Sequence, residues 1–196
     1  MEFKEETDSG KTFVFLIRHG HFNMPQGPHK FDPHHPLTEK GIKQARQVAS
    51  KLKKIKDHID IFICSSQKRA LQTALEIGKA INKKPTETQD FWEIGNLLWS
   101  RKYYHWKYWK YFFRHKKIID SFNKILKENQ GKVILIVAHA NVIKGIVGNK
   151  LKISKSKLKP LEYHNCHITL MRFNKAKLEK LYYFNNANLS PLNASG

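Results

Sequence analysis

Residues 12–20 read Thr12-Phe13-Val14-Phe15-Leu16-Ile17-Arg18-His19-Gly20, and this stretch decides the fold. Its body is short, unbroken in apolar character and rich in β-branched and aromatic side chains, as a strand buried on both faces requires. Its end changes abruptly to a guanidinium, an imidazole and a glycine. Two more runs end in a similar way. Ile59–Cys64 is followed by Ser65-Ser66-Gln67-Lys68-Arg69, and Val133–Ala138 is followed by His139-Ala140-Asn141.

Between these runs the apolar residues recur at helical spacing. Thr38 suits an N-cap, with Ile42, Ala45, Val48, Leu52 and Ile55 behind it on one face. A second helix is expected from about Gln67, carrying Leu71, Ala74, Leu75, Gly78 and Ile81 and stopping before Pro85. A third runs through Ile118, Phe122 and Leu126 to about Asn129, and a fourth spans Asn141 to Leu151. Asn165–Phe173 and Leu178–Phe184 read as two closing strands joined at Asn174–Lys177. Strand alternating with helix predicts a three-layer αβα fold, a mostly parallel sheet flanked by helices. In such sheets ligands bind beyond the carboxyl ends of the strands, so Arg18, His19, Arg69 and His139 are placed at one edge.

The chain has 196 residues, 40% of them hydrophobic and 27% charged, which fits a single domain with its own core. Residues 1–11 and 186–196 are expected to be loose ends, and residues 97–118 an inserted cap. No apolar run approaches the roughly 20 residues of a membrane span. The polar N-terminus lacks a secretory h-region, and two cysteines make no disulfide framework. A cytoplasmic protein is expected. Charge is the unusual quantity: 36 Lys+Arg against 16 Asp+Glu gives +20, with 11 His besides. That excess directs the chain toward anionic partners without naming them.

Any one of the four residues alone would be an ordinary loop or capping residue. Together they suit phosphoryl transfer, where charge on three oxygens must be neutralised around an in-line nucleophile. Arg18 and Arg69 each present a planar fork to phosphate oxygens. At about 4 Å and an effective dielectric near 20, each cation attracts a unit of phosphate charge by on the order of 4 kcal/mol. The same cations hold a neighbouring imidazole neutral, with a lone pair to attack phosphorus. Its other nitrogen needs a carbonyl to fix the tautomer.

The run Leu16-Ile17-Arg18-His19-Gly20 resembles the signature of the histidine phosphatase superfamily, the phosphoglycerate mutase-like proteins. The resemblance extends through Leu37-Thr38-Glu39-Lys40-Gly41 and Gln44-Ala45, through Cys64-Ser65-Ser66 with Arg69-Ala70 and Gln72-Thr73-Ala74, and through Val137-Ala138-His139-Ala140-Asn141. Asn165-Cys166-His167-Ile168-Thr169 is similar to the family's late strand. The family implies that His19 is the nucleophile, that Arg18, Arg69 and His139 form the phosphate pocket, and that Glu93 in Phe91-Trp92-Glu93-Ile94-Gly95 is the proton donor. His139 is thereby counted as both catalytic and phosphate-binding. Where many members carry Ser or Thr after the first motif, this chain has His21-Phe22-Asn23, and Asn23 stands as the substitute phosphate contact. Phe22 resembles the branch that acts on phosphoprotein Ser/Thr. An optimum on the mildly acidic side is expected.

Several features bear on the substrate. The stretch from Trp99 to Lys117 reads WSRKYYHWKYWKYFFRHKK, and three readings stand. It is a cap selecting phosphorylated substrates, a surface for nucleic acid or anionic lipid, or an amphipathic helix packed on the sheet. Arg101, Lys102 and Tyr104, with His21 and Phe22, are the candidates for substrate contact. Nucleic acid is disfavoured because no binding module is recognisable, while contact with an anionic membrane surface stays open. His29, His34 and His35 lack a Cys or carboxylate cluster at ligand spacing, so no metal is expected, and no cofactor. The reading is a metal-independent phosphomonoesterase acting through phosphohistidine on a phosphorylated small molecule or phosphoprotein. A mutase, and a phosphate-binding module without catalysis, are its rivals.

Overall fold

In the computed structural model, residues 3–24, 32–95 and 109–189 are described. The elements follow in the order α1 (Phe3–Asp8), β1 (Lys11–Arg18), α2 (Glu39–Leu52), a 3₁₀ turn over Lys53–His58, β2 (Ile59–Ser65), α3 (Lys68–Ile81), β3 (Thr86–Thr88) and α4 (Trp109–Glu128). Then come β4 (Val133–Ala138), α5 (Ala140–Leu151), α6 (Lys155–Leu158), β5 (Ile168–Asn174) and β6 (Lys177–Asn186). The strands form one sheet in the order β3-β2-β4-β1-β5-β6. β1, β2, β3 and β4 are parallel, while β5 and β6 add an antiparallel hairpin beside β1.

The unbroken apolar runs arise because β1 and β4 lie mid-sheet with both faces covered. On β1, Phe13, Phe15 and Ile17 pack with Ala45, Leu52, Ala74 and Ile77 of α2 and α3. Val14 and Leu16 point the other way, toward Ile118 and Phe122 of α4 and Val142 and Ile146 of α5. β4 alternates in the same manner, and its Leu16↔Ile136 and Arg18↔Ala138 pairings bring the two strand ends level. The expected N-cap is present: the Thr38 side chain accepts from the Gly41 amide, which satisfies one orphan donor of the first turn.

Among the departures from expectation, four have a local reason. β3 was not anticipated, because three polar residues at a sheet edge carry no apolar run. β5 begins at Ile168 rather than Asn165, since Cys166 takes a left-handed backbone (φ 56°) in the preceding turn. Trp109 to Ile118, the second half of the expected cap, are the opening turns of the 20-residue α4; residues 96–108 lie outside the described residues. Within the expected loose N-terminus, Phe3–Asp8 are helical, and the Arg172 guanidinium bonds the Glu6 carboxylate. Among the described residues no helix is long and apolar enough to cross a membrane.

Candidate active site

The end of β1 is held from three sides. The His19 amide donates to the Ala138 carbonyl at 3.0 Å, carrying the β1–β4 ladder one residue past the strands. The Arg18 carbonyl accepts from the Cys166 amide, and the His19 carbonyl accepts from Asn165 Nδ2 at 2.8 Å. The next amide, Gly20, donates to Thr73 Oγ1 at 3.0 Å, and that hydroxyl donates to the Arg69 carbonyl on α3. Gly20 has no room for a side chain: a Cβ there would stand 2.5 Å from the Gly41 carbonyl oxygen. The glycine after His19 therefore serves backbone-to-backbone contact with the start of α2.

Four cationic or imidazole groups converge at this edge. The His19 and His139 rings lie 5.0 Å apart, and Arg69 Nε is 3.4 Å from His19 Nε2. His19, Arg69 and His139 are all buried. His19 Nδ1 faces the Gly20 carbonyl oxygen at 2.7 Å, so Nδ1 carries the proton and Nε2 presents its lone pair. That carbonyl is the tautomer-fixing acceptor the chemistry requires. Burial, then the charges of Arg18 and Arg69, holds the His19 pKa well below the usual imidazole range. Burial, then His19, Arg69, Arg18 and Arg114, does the same to His139.

The guanidinium groups have their own supports. Arg18 Nη1 donates to the Tyr163 carbonyl, and the Tyr163 hydroxyl is tied to Thr169 Oγ1 at 2.8 Å. Arg69 Nη2 donates to Gln67 Oε1 at 2.9 Å, and its Cζ stands 4.7 Å from the Phe22 ring centroid. α3 starts directly after Gln67 and α5 directly after His139. Two helix N-termini, each with a partial positive charge, thus meet the same edge.

Glu93 is joined to this cluster by Gln67, whose Oε1 also accepts the Glu93 amide at 3.1 Å. One Glu93 carboxylate oxygen accepts from the Ile94 and Gly95 amides at 2.9 and 3.0 Å. Its charge reaches both Arg18 and Arg69, opposing the lowering of their pKa by burial. Phe22 lies edge-on to His19 at 5.3 Å and stacks on His35 at 6.3 Å, forming a wall of the site. His21 instead faces α2: its Nδ1 pairs with Thr38 Oγ1 and its amide donates to Gln44. Asn23 is exposed, and no hydrogen bond among the described residues links it to the four converging groups. Arg101, Lys102, Tyr104 and His29 lie outside the described residues. Among the described residues no group of three His, Cys, Asp or Glu side chains could hold a metal ion.

Sequence reasoning missed the supporting polar groups. Ser65, the last residue of β2, and Gln67, directly before α3, are both buried and polar; the first stood in a recognised motif and the second at an expected helix start, neither with a role. Asn165 and Thr73 stood inside recognised motifs without a role, and nothing local announces that Asn165 reaches a carbonyl 146 positions away.

An αβα sheet with two imidazoles and two guanidinium groups gathered at its carboxyl edge defines a phosphoryl-handling class of protein. The chain belongs to the histidine phosphatase superfamily (branch 1), whose family model matches residues 14–111 and 113–186. It is 34% identical over 90 residues to phosphoserine phosphatase 1 of Hydrogenobacter thermophilus. That match covers 44% of this chain and spans 41% of the relative's length. Among solved structures, a phosphoserine phosphatase of Entamoeba histolytica with 3-phosphoglyceric acid matches at a TM-score of 0.67 and 25% identity, covering 89% of this chain and 97% of that one. A mycobacterial glucosyl-3-phosphoglycerate phosphatase shares the fold at a TM-score of 0.71 and 16% identity, covering 90% and 99%.

Proposed function

We propose that this protein hydrolyses a phosphomonoester of a small metabolite in two steps through phospho-His19. The observation that carries the proposal is the His19 ring itself: Nδ1 is committed to the Gly20 carbonyl, and Nε2 faces a cluster of Arg69 and His139 with Arg18 close enough to influence its charge. In the first step Nε2 attacks phosphorus and the bond to the leaving oxygen breaks. Glu93, protonated, gives its proton to that oxygen, so an alcohol departs rather than an alkoxide. In the second step Glu93 takes a proton from water, which attacks phosphorus and releases inorganic phosphate and neutral His19. Arg18, Arg69 and His139 neutralise the equatorial oxygens throughout, the term that dominates phosphoryl transfer. The phosphoserine phosphatase likeness favours a small substrate over a phosphoprotein.

Brief exposure to a phosphate-labelled monoester followed by quenching in alkali should trap one acid-labile label per chain. His19→Ala should carry none and lose turnover by 10³-fold or more, since the nucleophile itself is gone. Unchanged turnover in that variant refutes the assignment. Offering 3-phosphoglycerate distinguishes net hydrolysis from transfer to the 2-position.

A further inference from the structure

We infer that Ser65 fixes the tautomer of His139, with Nε2 as acceptor and the proton on Nδ1 as a donor for a substrate oxygen. The use of that donor rests on the phosphatase reading above, whereas the tautomer is a property of the resting protein and is measured separately.

Ser65 Oγ lies 3.0 Å from His139 Nε2, and both residues are fully buried. The same oxygen accepts the Gln67 amide at 3.4 Å. A serine hydroxyl has two acceptor sites and a single proton. With an amide already occupying one acceptor site, the hydroxyl proton satisfies both side chains by pointing at Nε2. The opposite tautomer would set a second N–H against Oγ and leave the buried hydroxyl proton without an acceptor among the described residues. A buried polar hydrogen left unmade costs about 1–3 kcal/mol.

The other ring nitrogen agrees. His139 Nδ1 is buried and meets no hydrogen-bond partner among the described residues. In the opposite tautomer both its lone pair and the Ser65 hydroxyl proton would go unmet, whereas in this one the Nδ1–H alone awaits an acceptor. A lone pair there would also repel phosphate oxygens, while an N–H attracts them. The two imidazoles, 5.0 Å apart, thus hold opposite tautomers. His19 is fixed by a carbonyl and offers a lone pair; His139 is fixed by a hydroxyl and offers a proton. Ser65 is in this sense a positioning residue, acting on substrate through His139.

Long-range proton–nitrogen correlation on the full chain labelled with ¹⁵N-histidine reads the tautomer directly, with His139 assigned by its loss in His139→Gln. The wild type should show protonated Nδ1 and bare Nε2, and inorganic phosphate should move the Nδ1 proton downfield. Ser65→Ala should shift the ring toward the Nε2–H form and lower kcat/KM on the order of tenfold, short of the 10²–10³ lost when an oxyanion donor is removed outright. Ser65→Thr should restore both. A wild-type His139 protonated at Nε2, an unaltered ring in Ser65→Ala, or an Nδ1 proton indifferent to phosphate overturns the inference even if turnover is normal. A phosphate-responsive Nδ1–H in a protein that hydrolyses no monoester would leave this inference standing and remove the phosphatase reading.

Discussion

At the residue scale, the site depends on imidazoles kept neutral by burial and by adjacent cations. Because His19 is held well below the ordinary value of 6.5, the acid limb of the kcat/KM profile should lie below that pH, and the nucleophile should remain available in mildly acidic solution. A limb at or above 6.5 contradicts the assignment. The same shifts carry a stability consequence. His19 and His139 are neutral in the fold, while the unfolded chain protonates them below about 6.5, so the unfolded state binds more protons there. Stability is therefore complete above that pH and declines as pH falls toward the depressed folded values, by about 1.4 kcal/mol per pH unit for each residue. Denaturant titrations at pH 7.5 and 5.5, in wild type and His139→Gln, test the sign; equal slopes in both proteins would refute it. The donor role is tested through the leaving group. Glu93→Gln should lower kcat by 10²–10⁴ on alkyl phosphates, the usual reach of general acid catalysis, and far less on an aryl phosphate whose phenoxide leaves unaided. An equal loss on both substrates would assign the proton elsewhere.

At the scale of elements, the site is made where β1, β2 and β4 stop and the helices that follow them begin. The stretch Ser65-Ser66-Gln67, from the last residue of β2 to the start of α3, does more than connect. Its hydroxyl meets His139, and its carboxamide holds both Arg69 and the Glu93 backbone. The approach of the β1 end to α2 is equally strict. A Cβ at Gly41 would fall on the His21 carbonyl, and one at Gly20 on the Gly41 carbonyl. Gly41→Ala should therefore separate α2 from the β1 loop, destabilise the protein by about 1–3 kcal/mol as overpacking does, and lower kcat with it. An unperturbed melting temperature and activity would show that the contact yields. β3 illustrates what pattern reading overlooks: two of its three residues are exposed, so pairing with β2 made it a strand, not periodicity.

At the scale of the whole molecule, the net charge of +20 surrounds a site that is itself positive. Several of the carboxylates are already engaged: Glu76 with Arg46 and Lys79, Asp90 with Lys117, and Glu6 and Glu179 with Arg172. The excess field draws in anions and is screened over about 10 Å at 0.1 M salt. kcat/KM for a dianionic substrate should fall severalfold between 0.05 and 0.5 M salt, while kcat, set inside a buried cluster, changes little. A salt-independent kcat/KM would show that the surface charge does not serve substrate capture.

The fold and the four central residues were legible in the chain because their signals are local. An apolar run flanked by helical period specifies a covered strand, and a strand's end specifies an edge, so Arg18, His19, Arg69 and His139 could be placed without coordinates. Glu93 was legible only through its motif. What the tertiary structure alone decided is how those groups are held and protonated. Ser65 lies 74 positions from His139 and Asn165 lies 146 from His19. Hydrogen bonds across such separations leave no periodicity in the sequence, because the partners become neighbours only after the sheet has assembled. The chemical identities were written along the chain; the choice of which nitrogen bears each proton came from the packing around it.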